Sequence, residues 1–233
     1  VLRSTAPHTI DAGTAVFAFV GAWVVAQIVS SVILLVLHGD TGTDPSFAVL
    51  AVALVGAWSS YLVAMWIASQ RAGSRDPITD YGIEVRLPDL LGLGVGALAQ
   101  LVLIRIVYLP LEALWPATFS EDRLTENAQD LVDRAGDGSM WLLVLVVVFA
   151  APLVEELFYR GLLQRPLAAR FSQVPVVVGV AAVFALVHFR PAEFPGLFAV
   201  GLLFGWSALR WDRLGPAIMI HVGFNLTGLL LVL

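Results

Sequence analysis

Three short groups capable of chemistry interrupt the apolar second half of this chain: Glu155, Glu156 and Arg160; Phe184 and His188; His221 and Asn225. An ionisable side chain at the centre of a bilayer costs about 3 kcal/mol or more unless it faces protein or a water-filled cavity, so two glutamates and two histidines in apolar segments are a functional hypothesis by default. A carboxylate whose neighbour is also acidic is suited to act as a general base. Imidazoles and a carboxamide are suited to stabilise an oxyanion.

Spacing refines the assignment. A helix turns about 100° per residue, so Glu156 and Arg160 share a face and can pair, which leaves Glu155 free to point into a cavity. Tyr159, four residues after Glu155, shares that second face, either lining the cavity or serving as an interfacial aromatic. Phe184 with His188, and His221 with Asn225, likewise present one face each. The competing reading of the acidic pair is a helix end wetted by headgroup water. Against it, residues 141–154 before the pair and Leu157, Phe158 and Tyr159 after it are apolar. The competing reading of either histidine is an interhelical hydrogen-bond partner, which two of them on separate segments make less economical.

The elements that must hold these residues follow from composition. The chain has 233 residues, is 59% hydrophobic and 13% charged, and has a mean hydropathy of +0.87, values outside the range of soluble domains. The expected fold is all-α, a polytopic membrane bundle of about seven transmembrane helices, because a core about 30 Å thick needs roughly 20 apolar residues per crossing. Such runs lie near 14–37, 46–70, 90–114, 140–163, 174–190, 195–210 and 215–233. The fifth and sixth are short, with a tight turn between Pro191 and Pro195. His188 lies far along the fifth, so that helix is expected to tilt, start late or end inside the membrane. No signal sequence precedes the first run, which is expected to stay as an anchor. One domain over 1–233, with its motif-bearing core at 140–233, accounts for the pattern. With no cysteine, thiolate chemistry and disulfides are excluded. No basic run suggests nucleic acid as a partner.

All 13 basic residues are arginine, which with the Ala, Val, Leu and Gly excess points to a bacterial source and therefore the plasma membrane. Cytoplasmic loops carry the basic excess. With the N-terminus inside, Arg3, Arg71, Arg75, Arg86, Arg160, Arg165, Arg170, Arg210 and Arg213 fall on the cytoplasmic side. Arg123, Arg134 and Arg190 fall outside, with Asp40, Asp44 and an acidic stretch over 121–137 expected to form a surface helix. Arg105 is inside a span, either snorkelling or pairing with Glu112. Gly92, Gly94 and Gly96, and Gly201 with Gly205, are expected to let helices approach closely.

The three groups resemble the motifs of the CAAX protease and bacteriocin-processing (CPBP) family of membrane endopeptidases. Residues 155–161, EELFYRG, resemble its EExxxR motif; 184–188, FALVH, its FxxxH motif; and 221–225, HVGFN, its HxxxN motif. The resemblance implies an intramembrane endopeptidase in which Glu155 and His188 activate water and His221 and Asn225 form the oxyanion hole. Glu156 and Arg160 would support them. It also implies catalysis without a metal. The alternative is a zinc site made by the two histidines and a glutamate with a bound water. Peptides or membrane-protein tails are the expected substrates and the lipid bilayer the surroundings; oligomeric state is left open. Two readings from other classes are a proton-coupled transporter and a scaffold or immunity protein without catalysis.

Overall fold

A computed structural model describes residues 10–39 and 42–233, so Arg3 and Asp40 lie outside the described residues. These residues form helices and connecting turns with no β-strand. Five helices are long and apolar enough to cross a membrane: α1 (Ala12–Leu37), α2 (Phe47–Ala72), α3 (Leu87–Leu114), α4 (Gly138–Arg170) and, last in the chain, Gly215–Val232. Between α4 and that last helix lie α5 (Gln173–Leu186, 14 residues) and α6 (Phe194–Trp211, 18 residues). Gly215–Val232 is therefore α7. The acidic stretch is helical, as its composition suggests, running from Glu121 until Gly136 takes a positive φ of 51°. That break, which glycine adopts at little cost, redirects the chain into α4.

The expected fifth span, 174–190, is shorter than anticipated. α5 stops at Leu186, and 14 residues reach only about 21 Å, short of the hydrocarbon thickness. His188 consequently sits in a turn beyond the helix end. Irregular backbone inside a bilayer survives only where protein satisfies it. Tyr108 of α3 does so here: its hydroxyl donates to the Ala192 carbonyl at 2.9 Å and accepts the Gly196 N–H at 3.1 Å.

α4 departs from regular α geometry twice. Residues Val144–Ala150 and Glu156–Gln164 are wound as wider π turns, and each stretch ends two residues before a proline, Pro152 and Pro166. Proline has no N–H to donate and crowds the carbonyl four residues back, so the preceding turns widen. α1 and α2 pack against this wound segment through Phe158. Its fully buried ring lies between Tyr61, at 3.8 Å and 8° between planes, and Phe19, at 4.4 Å and 21°.

The connections sort to two ends. At one, Leu214 N–H donates to Gly82 O and Gly215 N–H to Glu84 O, while Arg165 pairs with Asp212 at 2.8 Å and Arg213 with Asp89. At the other, Arg134 bonds the Pro45 carbonyl and pairs with Asp44 at 3.3 Å, and Asn127 bonds Glu193. These are the two groups of loops that arginine counting separates. Arg160 is the exception: counted with a cytoplasmic loop, it is instead buried at 1% exposure within α4, because Glu156 compensates its charge. Arg105 is exposed on the apolar surface of α3, with no ion pair to Glu112.

Candidate active site

The site is built on four helices, and glycines set their separations. A side chain at Gly96 would overlap the Ile220 carbonyl oxygen, and one at Gly223 the Leu93 carbonyl, so α3 and α7 touch backbone to backbone. Gly94 faces open space and takes no part. On the other flank, Gly201 approaches Ala181 of α5 with 3.2 Å between its would-be Cβ and the Ala181 Cα. The two α6 glycines also leave carbonyls uncovered. Arg160 donates to Gly201 O at 3.1 Å and Gln164, one turn further, to Gly205 O at 2.9 Å. These two buried rungs fix α4 against α6.

The fixed guanidinium organises the carboxylate below it. Arg160 Nη1 donates to Glu156 Oε1 at 2.9 Å, with both side chains wholly buried. The guanidinium also lies 4.7 Å from the Phe184 ring centre, a cation–π contact that supports a desolvated charge. The same Glu156 oxygen lies 2.9 Å from His221 Nδ1. Phe204 lies flat against the imidazole, 4.4 Å away and 20° from parallel, and Phe184 meets it edge-on at 6.1 Å. His221 is thus held in one orientation by an acceptor and two rings.

Glu155 occupies the opposite side of that imidazole. Its Oε2 is 3.9 Å from His221 Nε2, and its side chain keeps 21% exposure where Glu156 has none. The two glutamates therefore divide as their spacing suggests, one locked by arginine and one open. The structure adds that they face the two nitrogens of a single histidine.

His188 Nδ1 lies 2.6 Å from the Phe184 carbonyl, and its ring meets Phe184 at 4.9 Å. Asn225 Nδ2 donates to the Val147 carbonyl at 2.8 Å, in the first π stretch of α4, which leaves one amide hydrogen uncommitted. Tyr159 is buried rather than interfacial, edge-on to Phe184 at 5.2 Å. Beside His188, Val187 and Phe189 join Phe19, Val20, Trp23 and Leu186 around an apolar hollow of about 210 Å³ between α1 and the end of α5.

Among the described residues no three His, Asp or Glu side chains are grouped closely enough to hold a metal ion. Phe204, Gln164 and Tyr108 are structural partners that motif reading passes over. Gln164 has a visible signal, repeating Arg160 at four residues just as Gly205 repeats Gly201.

Comparison with known proteins gives one result. Residues 137–227 match the sequence model of a family described as type II CAAX prenyl endopeptidase Rce1-like. No curated protein and no solved structure matches the chain.

Proposed function

We propose that this protein, whose residues 137–227 match the sequence model of the type II CAAX prenyl endopeptidase Rce1-like family, is a glutamate-dependent intramembrane endopeptidase. Glu155 takes a proton from the attacking water. His188, His221 and Asn225 share the two remaining tasks, holding that water and stabilising the oxyanion that forms as it attacks a peptide carbonyl. The observation that carries this reading is the pairing of an open carboxylate with a locked one around His221, 3.9 and 2.9 Å from its two nitrogens. A carboxylate kept from arginine is available as a base; one bound to arginine is not. The substrates proposed are hydrophobic peptides or membrane-protein segments. A proton relay would need polar groups spread along several helices. The first three contribute chiefly Gln27, Gln100 and Arg105, and Arg105 faces outward.

Purified protein in lipid nanodiscs, given a library of hydrophobic peptides, is expected to cleave a subset of them. Glu155→Gln is expected to abolish cleavage without changing the unfolding temperature, and chelator treatment of the wild type to leave turnover intact. Full turnover by Glu155→Gln would remove Glu155 as the base. Absence of cleavage across the library by well-folded wild type would favour a scaffold.

A further inference from the structure

We infer that Tyr108 of α3 is a positioning residue for His188: its hydroxyl, inserted into the first turn of α6, sets the course of the turn that carries the imidazole. This role rests on the endopeptidase reading, in which His188 acts on the water or the oxyanion and must stand at a fixed place. α3 lies outside residues 137–227, so the matched segment does not itself supply this support.

Two residues four apart show what the hydroxyl does. In a regular helix the N–H of residue 196 bonds the carbonyl of residue 192. The rungs on either side are made: Phe194 N–H donates to Arg190 O at 3.1 Å and Leu197 N–H to Glu193 O at 2.9 Å. The rung between 191 and 195 cannot form, because Pro195 has no N–H. At 192 and 196 the Tyr108 hydroxyl stands between the partners, accepting from Gly196 N–H at 3.1 Å and donating to Ala192 O at 2.9 Å. A side chain inserted into the ladder opens it. Proline and tyrosine together therefore keep α6 from winding back toward His188.

The fit is tight. Tyr108 is buried, and a side chain at Gly196 would come within 2.9 Å of both its hydroxyl and its ring Cε2. Asn127 of the acidic helix bonds Glu193, so the far half of the turn is held from two elements.

The near half of the turn is tied to α5. His188 Nδ1 lies 2.6 Å from the Phe184 carbonyl, one of the last carbonyls of α5, which helix geometry leaves in need of a partner. Phe189, next in the chain, has a φ of 54°, a left-handed conformation that a bulky residue keeps only where its surroundings impose it. Pro191 has a fixed φ. Little torsional freedom is left between His188 and Ala192, so a movement at Ala192 passes to the imidazole.

Removing the hydroxyl alone has a defined outcome. In Tyr108→Phe the Gly196 N–H and the Ala192 carbonyl lose their common partner and can bond each other, which winds α6 back by one rung and draws the turn with it. The ring and its packing against Phe119, 6.0 Å away, are kept.

His188 reports the change directly in NMR spectra of the full chain in lipid nanodiscs, labelled with ¹³C,¹⁵N-histidine. The chain has four histidines, and His188→Gln and His221→Gln identify the two in the site. Tyr108→Phe is expected to shift the His188 ring resonances, to leave those of His221 in place, and to lower kcat about 10²-fold with KM within about twofold of wild type. Unchanged His188 resonances, comparable shifts at His188 and His221, or wild-type kcat would each overturn the role. Amide exchange of the wild type needs no variant to fold: the Gly196 N–H, a first-turn donor without a partner in its own helix, is expected to be protected, and rapid exchange there removes the clamp. Neither resonance shifts nor amide protection need turnover. A failure of the endopeptidase reading is therefore seen separately, as absent cleavage by wild type while Tyr108→Phe still moves the His188 signals.

Discussion

At the residue scale, the decisive object is the buried chain from Gly201 O through Arg160 and Glu156 to His221. Burying two charges is costly, and a pair of this kind holds only while both members remain. Arg160→Met is therefore expected to destabilise the fold by about 3–5 kcal/mol, because it leaves Glu156 charged and enclosed. The double variant Glu156→Met with Arg160→Met is expected to recover most of that loss. Reversible unfolding in detergent, followed by circular dichroism, measures both; equal losses in the single and double variants would show that charge compensation is not what Arg160 supplies. Arg160→Lys is no substitute, since a single ammonium cannot serve both Glu156 and Gly201 from a planar fork. Much of this was legible: the four-residue spacing of Glu156 and Arg160 is a local property of any helix. Which nitrogen of His221 meets which glutamate was not. It depends on how α7 is rotated against α4, which Phe204 and the contact at Gly223 settle from elsewhere in the chain.

Elements follow from the same physics one step up. The prolines behind both π stretches stand in the sequence, but a uniform turn of about 100° per residue hides the widening they cause. The early end of α5 was harder to read. Its turn is supported by Tyr108, some 80 residues away, so no local signal could fix where the helix stops. Glycines give the sharpest test at this scale, because three that look alike at 92, 94 and 96 differ in surroundings. Gly96→Ala pushes a methyl into the Ile220 carbonyl and is expected to cost more than about 2 kcal/mol, as overpacking and separation of α3 from α7 combine. Gly94→Ala meets nothing within 4 Å and is expected to stabilise by up to about 1 kcal/mol through helix propensity. Unfolding midpoints of the two variants check the contrast. Similar midpoints would mean that backbone contact between α3 and α7 does not determine where His221 sits.

For the whole molecule, the sorting of loops is the property that sequence reading captured best, since it depends on alternation rather than on packing. Its exception is instructive: Arg160, expected in a loop, lies buried within α4, and Arg213, which does stand in a loop, is also nearly buried; both are paired with carboxylates, Glu156 and Asp89. A buried, compensated arginine exerts little pull on topology, so the positive-inside argument rests on the exposed ones, including Arg71, Arg75, Arg86, Arg170 and Arg210. All five belong to the end where the 82–84 loop meets 214–215. That end is expected to be cytoplasmic. The chain has no cysteine, so single introduced thiols report sidedness without background. Ser172→Cys, exposed at the start of α5, marks one end, and Asp122→Cys, exposed on the acidic helix, marks the other. In intact cells a membrane-impermeant maleimide is expected to label Cys introduced at 122 and to leave Cys introduced at 172 unlabelled until the membrane is opened. Labelling in the reverse order would invert the protein. Labelling of both in intact cells would mean that the two sets of loops do not lie on opposite sides of a bilayer.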